Sequence, residues 1–147
     1  MGRGRQDEQY LEAAKTFGAA IDRLARAYEA DADRRRDLIQ DIHVALWRSF
    51  ATFDGRCSNR TWVYRIAHNL GASHIVKTRR YRLEGLAQLE ETFETVDGAN
   101  PESEAGDRQV LDRLMALVHR LQPTDRQIVL LNLEDLDAAA IGEVTGL

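Results

Sequence analysis

A single cysteine, Cys57, in 147 residues rules out an internal disulfide. A disulfide-stapled secreted scaffold is therefore excluded, and a reducing, cytoplasmic compartment is the simplest expectation. No apolar run approaches the roughly 20 residues needed to cross a bilayer, so membrane insertion is not expected. The first residues, Met1-Gly2-Arg3-Gly4-Arg5-Gln6-Asp7-Glu8, carry no apolar segment behind their arginines, which argues against a secretory signal. Phosphate-binding glycine loops and nucleophile elbows are lacking. His43, His68 and His74 have neither the spacing nor the clustered Cys or carboxylate partners of a zinc site. Cys57 has no histidine base in register. Neither metal nor cofactor is expected, and nothing supports an enzyme.

The chain does carry charge, sorted by position. The net charge of −4 hides a basic centre. Residues 34–82 hold ten Arg and one Lys against three Asp, while residues 83–147 hold four cations and fourteen acids. A basic block between acidic flanks points to a local polyanion site, with a solvated basic surface as the bland alternative.

Few stretches alternate as half-buried strands do, and apolar residues recur at three- and four-residue steps, so the fold class is all-α. Tyr10–Ala30 places Leu11, Ala14, Phe17, Ile21, Leu24 and Tyr28 on one stripe. Asp33 is the expected N-cap of a second helix, Arg34–Phe50, whose stripe is Leu38, Ile42, Ala45, Leu46 and Phe50. Thr52–Asn59 contains Asp54-Gly55 and reads as a turn. A third helix, about Arg60–Arg80, turns Trp62, Val63, Ile66, Ala67, Leu70 and Ile75 inward, and three such helices close a small core. Residues 83–106 are acidic, contain Gly98 and Pro101, and read as a linker with a short helix near Leu83–Thr92. A second unit, residues 107–147, has an amphipathic helix through Val110, Leu111, Leu114, Leu117, Val118 and Leu121. A helix opened by Pro123 and a short helix capped by Asp137 and ended by Gly146 follow.

The third helix mixes rings, amides and cations from Asn59 to Arg80. Aromatic faces stack on unpaired bases at roughly 1–3 kcal/mol each, and Arg and Lys neutralise the linking phosphates. Four runs carry a resemblance to a known family. They are Asp37-Leu38-Ile39-Gln40-Asp41, Ala45-Leu46-Trp47, Phe53-Asp54-Gly55-Arg56 and Thr61-Trp62-Val63-Tyr64-Arg65-Ile66-Ala67-His68-Asn69. In order and spacing they resemble the second region of bacterial RNA polymerase sigma factors, most of all the small extracytoplasmic-function group. The run Leu121-Gln122-Pro123-Thr124-Asp125-Arg126-Gln127-Ile128-Val129-Leu130-Leu131 is similar to the start of the same family's fourth region.

The resemblance implies three segments: a sigma region 2 over residues 8–82, the acidic linker over 83–106, and a partial region 4 over 107–147. It implies docking of Asp37, Leu38, Gln40, Asp41, Ile42, Ala45 and Trp47 on the clamp helices of the polymerase β′ subunit. Asp37 and Asp41 have a plainer reading as complements to a helix N-terminus. The resemblance also implies contact with the promoter −10 element, mainly as a single strand. The loop Phe53–Arg60, with Phe53, Arg56 and Asn59, would hold a base drawn out of the stack. Arg60, Arg65, Lys77, Arg79 and Arg80 would meet phosphates, and Asn69, Ser73 and His74 base edges, with His68 on the same helix. Tyr64 has two readings, stacking on a base or packing; Trp62 and Ile66 read as core. An anti-sigma factor is a further implied partner.

The chain as given stops at Val144-Thr145-Gly146-Leu147, where the turn of a helix-turn-helix is expected, so −35 recognition by this polypeptide is not. About 40 residues sit near the limit for an independent core, which predicts a marginal, mobile C-terminal unit. Two rivals to an initiation factor remain: a helical adaptor or decoy that binds polymerase without initiating, and a free-standing DNA-binding regulator.

Overall fold

A long helix with small buried residues is the element on which the others assemble. The computed structural model describes residues 2–85 and 105–147, and within them every regular element is helical. The order is α1 (Gly2–Tyr28), α2 (Ala32–Ser49), α3 (Asn59–Gly85), α4 (Ala105–Val118), α5 (Pro123–Leu133) and α6 (Ala138–Thr145). Most of the expected linker, including most of the helix proposed near Leu83–Thr92, lies outside the described residues.

Local chemistry sets the element ends. Asp31, not Asp33, caps α2: its side chain accepts the Arg34 N–H at 2.9 Å. Asp33 lies in the first turn, where its charge suits the positive helix end. Ser58 opens α3, its Oγ accepting the Thr61 N–H at 3.1 Å and its carbonyl the Trp62 N–H at 3.0 Å. Asp137 caps α6 through the Ala140 N–H, and Gly146 ends it at φ 82°, a left-handed conformation suited to glycine.

Helix α1 packs against both α2 and α3. Ala13, Ala20, Ala25 and Ala27 are buried beside Ile21, Leu24 and Tyr28, so small side chains let neighbouring backbones approach. Leu38, Ile42, Leu46 and Phe50 come from α2, and Val63, Tyr64 and Ala67 from α3. Leu11, expected on the inner stripe, is instead 62% exposed. The expected marginal, mobile unit draws its core from its neighbours. Val118, Leu130, Leu131, Leu136 and Val144 join the cluster built on α1 and α3. Helix α4 buries Val118 but leaves Val110, Leu111 and Leu117 exposed.

At Gly71, α3 lies tightly against Tyr28 of α1. A Cβ added there would lie 2.6 Å from Tyr28 Cγ, inside the ring's van der Waals surface. Gly18, also helical, would meet nothing within 4 Å. Alanine gains about 1 kcal/mol of helix propensity over glycine, whereas overpacking a core costs about 1–3 kcal/mol. Gly71→Ala will therefore lower, and Gly18→Ala raise, the midpoint of urea unfolding; shifts of the same sign would contradict this packing.

Candidate nucleic-acid and protein interfaces

Along α3, Arg65, Asn69, Ser73, Val76, Lys77 and Arg80 recur at helical steps and share one face. Asn69, Ser73, Lys77 and Arg80 are exposed, as is Arg79 beside them. No ion pair to Lys77, Arg79 or Arg80 forms among the described residues.

The upstream half of the same helix is occupied. Arg65 donates through Nε to the Val144 carbonyl at 3.1 Å and through Nη2 to the Glu143 carbonyl. Tyr64 is 5% exposed, its ring edge-on to Phe17 at 6.1 Å, so here it packs and does not present a stacking face. Burial, followed by the nearby Glu134 charge, raises its pKa. His68 Nδ1 lies 2.6 Å from the Tyr28 hydroxyl, and burial lowers its pKa, favouring a neutral ring that accepts the Tyr28 proton. Leu24, Tyr28, Tyr64, His68, Gln127, Leu130 and Leu131 line one small cleft between the layers.

Two other residues expected to reach DNA have partners within the chain. His74 Nε2 sits 2.7 Å from Glu29 Oε1, a carboxylate held at the end of α1 by the Asp31 N–H. His74 thus joins α3 to the α1–α2 turn instead of presenting its ring to a base edge. Phe53 packs on Phe50 at 5.6 Å and on Trp62 at 4.8 Å, so its ring anchors the loop. Trp62 in turn donates to Ser49 Oγ at 2.9 Å. Beyond this anchor, Arg56 pairs with Asp54 on the surface at 3.0 Å, and Gly55 adopts φ 76°. Asn59 and Arg60 are exposed beside it.

On α2, Asp37, Gln40 and Asp41 are exposed, and Val44 (43% exposed) and Arg48 continue that face. Leu38 and Ile42, expected among the docking residues, are each 1% exposed. They face α1 and the core, because one helix turn cannot offer the same position to both sides. Ala45 is half-buried. Trp47 is also half-buried, its indole N–H donating to Asp7 at 2.7 Å and its carbonyl accepting from Gln6 at 2.8 Å. Sequence reasoning passed over Val44, although its spacing from Asp37 and Asp41 carried the signal. It also passed over Arg23, His119 and Glu134, which join distant segments and leave no local pattern. Among the described residues, no group of His, Cys, Asp and Glu is arranged to hold a metal ion. No described helix is long and apolar enough to cross a membrane.

Comparison with known proteins identifies the family. The model for "Sigma-70 region 2" matches residues 14–81, which covers α1 from its middle, α2 and most of α3. The RNA polymerase sigma factor NccH of Alcaligenes xylosoxydans xylosoxydans is 30% identical over 139 residues, covering 88% of this chain and 71% of that protein. A match of that extent continues past α3 into the C-terminal helices. The RNA polymerase sigma-H factor of Pseudomonas aeruginosa is 30% identical over 92 residues, covering 61% of this chain and 48% of that protein. An all-α chain with this region match and these relatives belongs to the RNA polymerase sigma factors, transcription initiation factors whose partners are core polymerase and promoter DNA.

Proposed function

We propose that the chain acts as an extracytoplasmic-function sigma factor that divides its two partners between two helices. The exposed face of α2, Asp37, Gln40, Asp41, Val44 and Arg48, docks on the clamp helices of the polymerase β′ subunit. The outer stripe of α3 receives the −10 element, chiefly its non-template single strand. Lys77, Arg79 and Arg80 hold phosphates; Asn69 and Ser73 face base edges. The loop capped by Ser58, with Arg56, Asn59 and Arg60 exposed, takes an extruded base. Its work is binding free energy directed to opening and holding DNA, not catalysis, and its site of action is the cytoplasm. An anti-sigma factor is a further proposed partner.

One observation carries this reading: three cations at the C-terminal half of α3 are exposed and unpaired among the described residues, on a helix other than the one presenting Asp37 and Asp41. A cation already paired within the protein must give up that partner to meet a phosphate. A decoy that binds polymerase without initiating has less support, because it has no use for a free cationic stripe.

Arg79→Ala with Arg80→Ala will weaken promoter opening by reconstituted polymerase and shallow its salt dependence. On single-stranded DNA each lost phosphate contact removes about 0.7 from the log–log slope. An unchanged slope would exclude direct contact. Asp41→Arg will lower affinity for core polymerase in a pull-down while the circular dichroism stays helical. Full retention of affinity would remove α2 as the docking face.

A further inference from the structure

Helix α3 runs on past the bundle. Ile75 is the last of its described apolar residues packed against the core, and Val76, Lys77, Arg79, Arg80 and Tyr81 beyond it are exposed. Tyr81 is 75% exposed, the most open aromatic ring among the described residues. A water-facing tyrosine needs no explanation by itself. Two independent observations give this one a task.

The first is position. Asn69, Ser73, Lys77 and Tyr81 stand four residues apart, and all four are exposed. Four residues of α-helix advance about 6 Å and turn through little more than one circle, so these side chains form one inclined ridge about 18 Å long. The ridge begins with the hydrogen-bonding groups of Asn69 and Ser73, continues with a cation and ends on a ring. Arg79 and Arg80 precede that ring directly in sequence.

The second is the state of the other rings. Tyr64 is buried against Phe17, and Trp62 lies against Phe53 at 4.8 Å. Tyr28 is buried, with its hydroxyl on His68. Among the described residues no ring and no cation lies over Tyr81. An aromatic that meets a base must present an open face, and among the described tyrosines and tryptophan of α3 that is Tyr81.

We propose that Tyr81 stacks on an unpaired base of the opened strand, at the end of the ridge that begins at Asn69. The proposal rests on the DNA-facing reading of α3 given above and adds a non-ionic contact to it. Lys77, Arg79 and Arg80 can hold the phosphates of paired or parted DNA alike. A ring gains a stack only where a base has left its own. Tyr81 therefore favours the opened state over the closed one, which charge alone does not.

The chain, assembled with core polymerase, is titrated with fluorescein-labelled DNA of one sequence, either fully paired or carrying a preformed bubble. Tyr81→Ala should weaken binding to the bubble roughly tenfold, within the range of one base–aromatic stack, and leave binding to paired DNA unchanged. Its salt slope on the bubble should stay that of wild type, because no phosphate contact is lost. Tyr81→Phe keeps the ring and should bind like wild type. Removing bases one at a time from the non-template strand should find one abasic position at which Tyr81→Ala and wild type bind alike. Unchanged bubble affinity in Tyr81→Ala would overturn the stack, as would an equal loss on paired DNA or an equal loss in Tyr81→Phe. A loss that persists at every abasic position would show Tyr81 acting through the fold, and would overturn it too. Arg79→Ala with Arg80→Ala on the same bubble separates this failure from that of the DNA face. If that pair lowers affinity while Tyr81→Ala does not, the face stands and only the stack fails; if neither variant has an effect, the DNA-facing reading fails as well.

Discussion

Both layers of the molecule meet at the ring of Tyr28. One face lies against the bare Cα of Gly71, the hydroxyl bonds to His68 at 2.6 Å, and the Arg126 guanidinium approaches the ring from the C-terminal layer. This contact fixes how near α3 comes to α1, and so how α3 is rotated about its axis. Rotation decides which side chains turn outward. With Val63, Ala67 and Gly71 against α1, the opposite side necessarily carries Asn69, Ser73 and Lys77. A few ångströms of added separation would leave Tyr28 unable to reach His68, and the stripe would lose its register.

Charge is sorted in space as it is in sequence. The basic block supplies the outer side of α3 and the start of α2, while the acidic C-terminal segment meets Arg23 of α1 through Glu134 and Arg65 of α3 through the Glu143 and Val144 carbonyls. Opposite charges on one chain shorten the search for a compact state, but they also compete with any external polyanion. Along α3 the competition is tight at Arg65, while Lys77 and Arg80 have no ionic partner among the described residues. Salt screens exposed charges separated by more than a Debye length, about 10 Å at 0.1 M, so the longer-range attraction of these cations for internal acids and for an external polyanion falls together as ionic strength rises. The proposed docking side of α2 stands apart from this competition, since Asp37 and Asp41 have no ionic partner among the described residues.

The helices were legible because their apolar residues recur at helical spacing and their caps are local. Ser58, Asp137, Pro123 and Gly146 act within a few residues of themselves, so sequence exposes them. Less was legible where a residue's fate depends on a distant partner. Leu38 and Ile42 have the right type for a docking surface, yet the same stripe had to feed the core. Tyr64, Phe53 and His74 have the chemistry to meet bases, but Phe17, Trp62 and Glu29, brought near only by folding, engage them first. The Arg23–Glu134 pair spans 111 residues and has no signature short of the fold itself.

Site-specific photocross-linking tests the division of surfaces most directly. Benzoylphenylalanine is placed singly at Asp37 and at Ser73 in complexes with core polymerase and a promoter bubble. The account predicts that the probe at 37 marks the β′ subunit and the probe at 73 marks the non-template strand. Marking of DNA from 37, or of polymerase alone from 73, would contradict it.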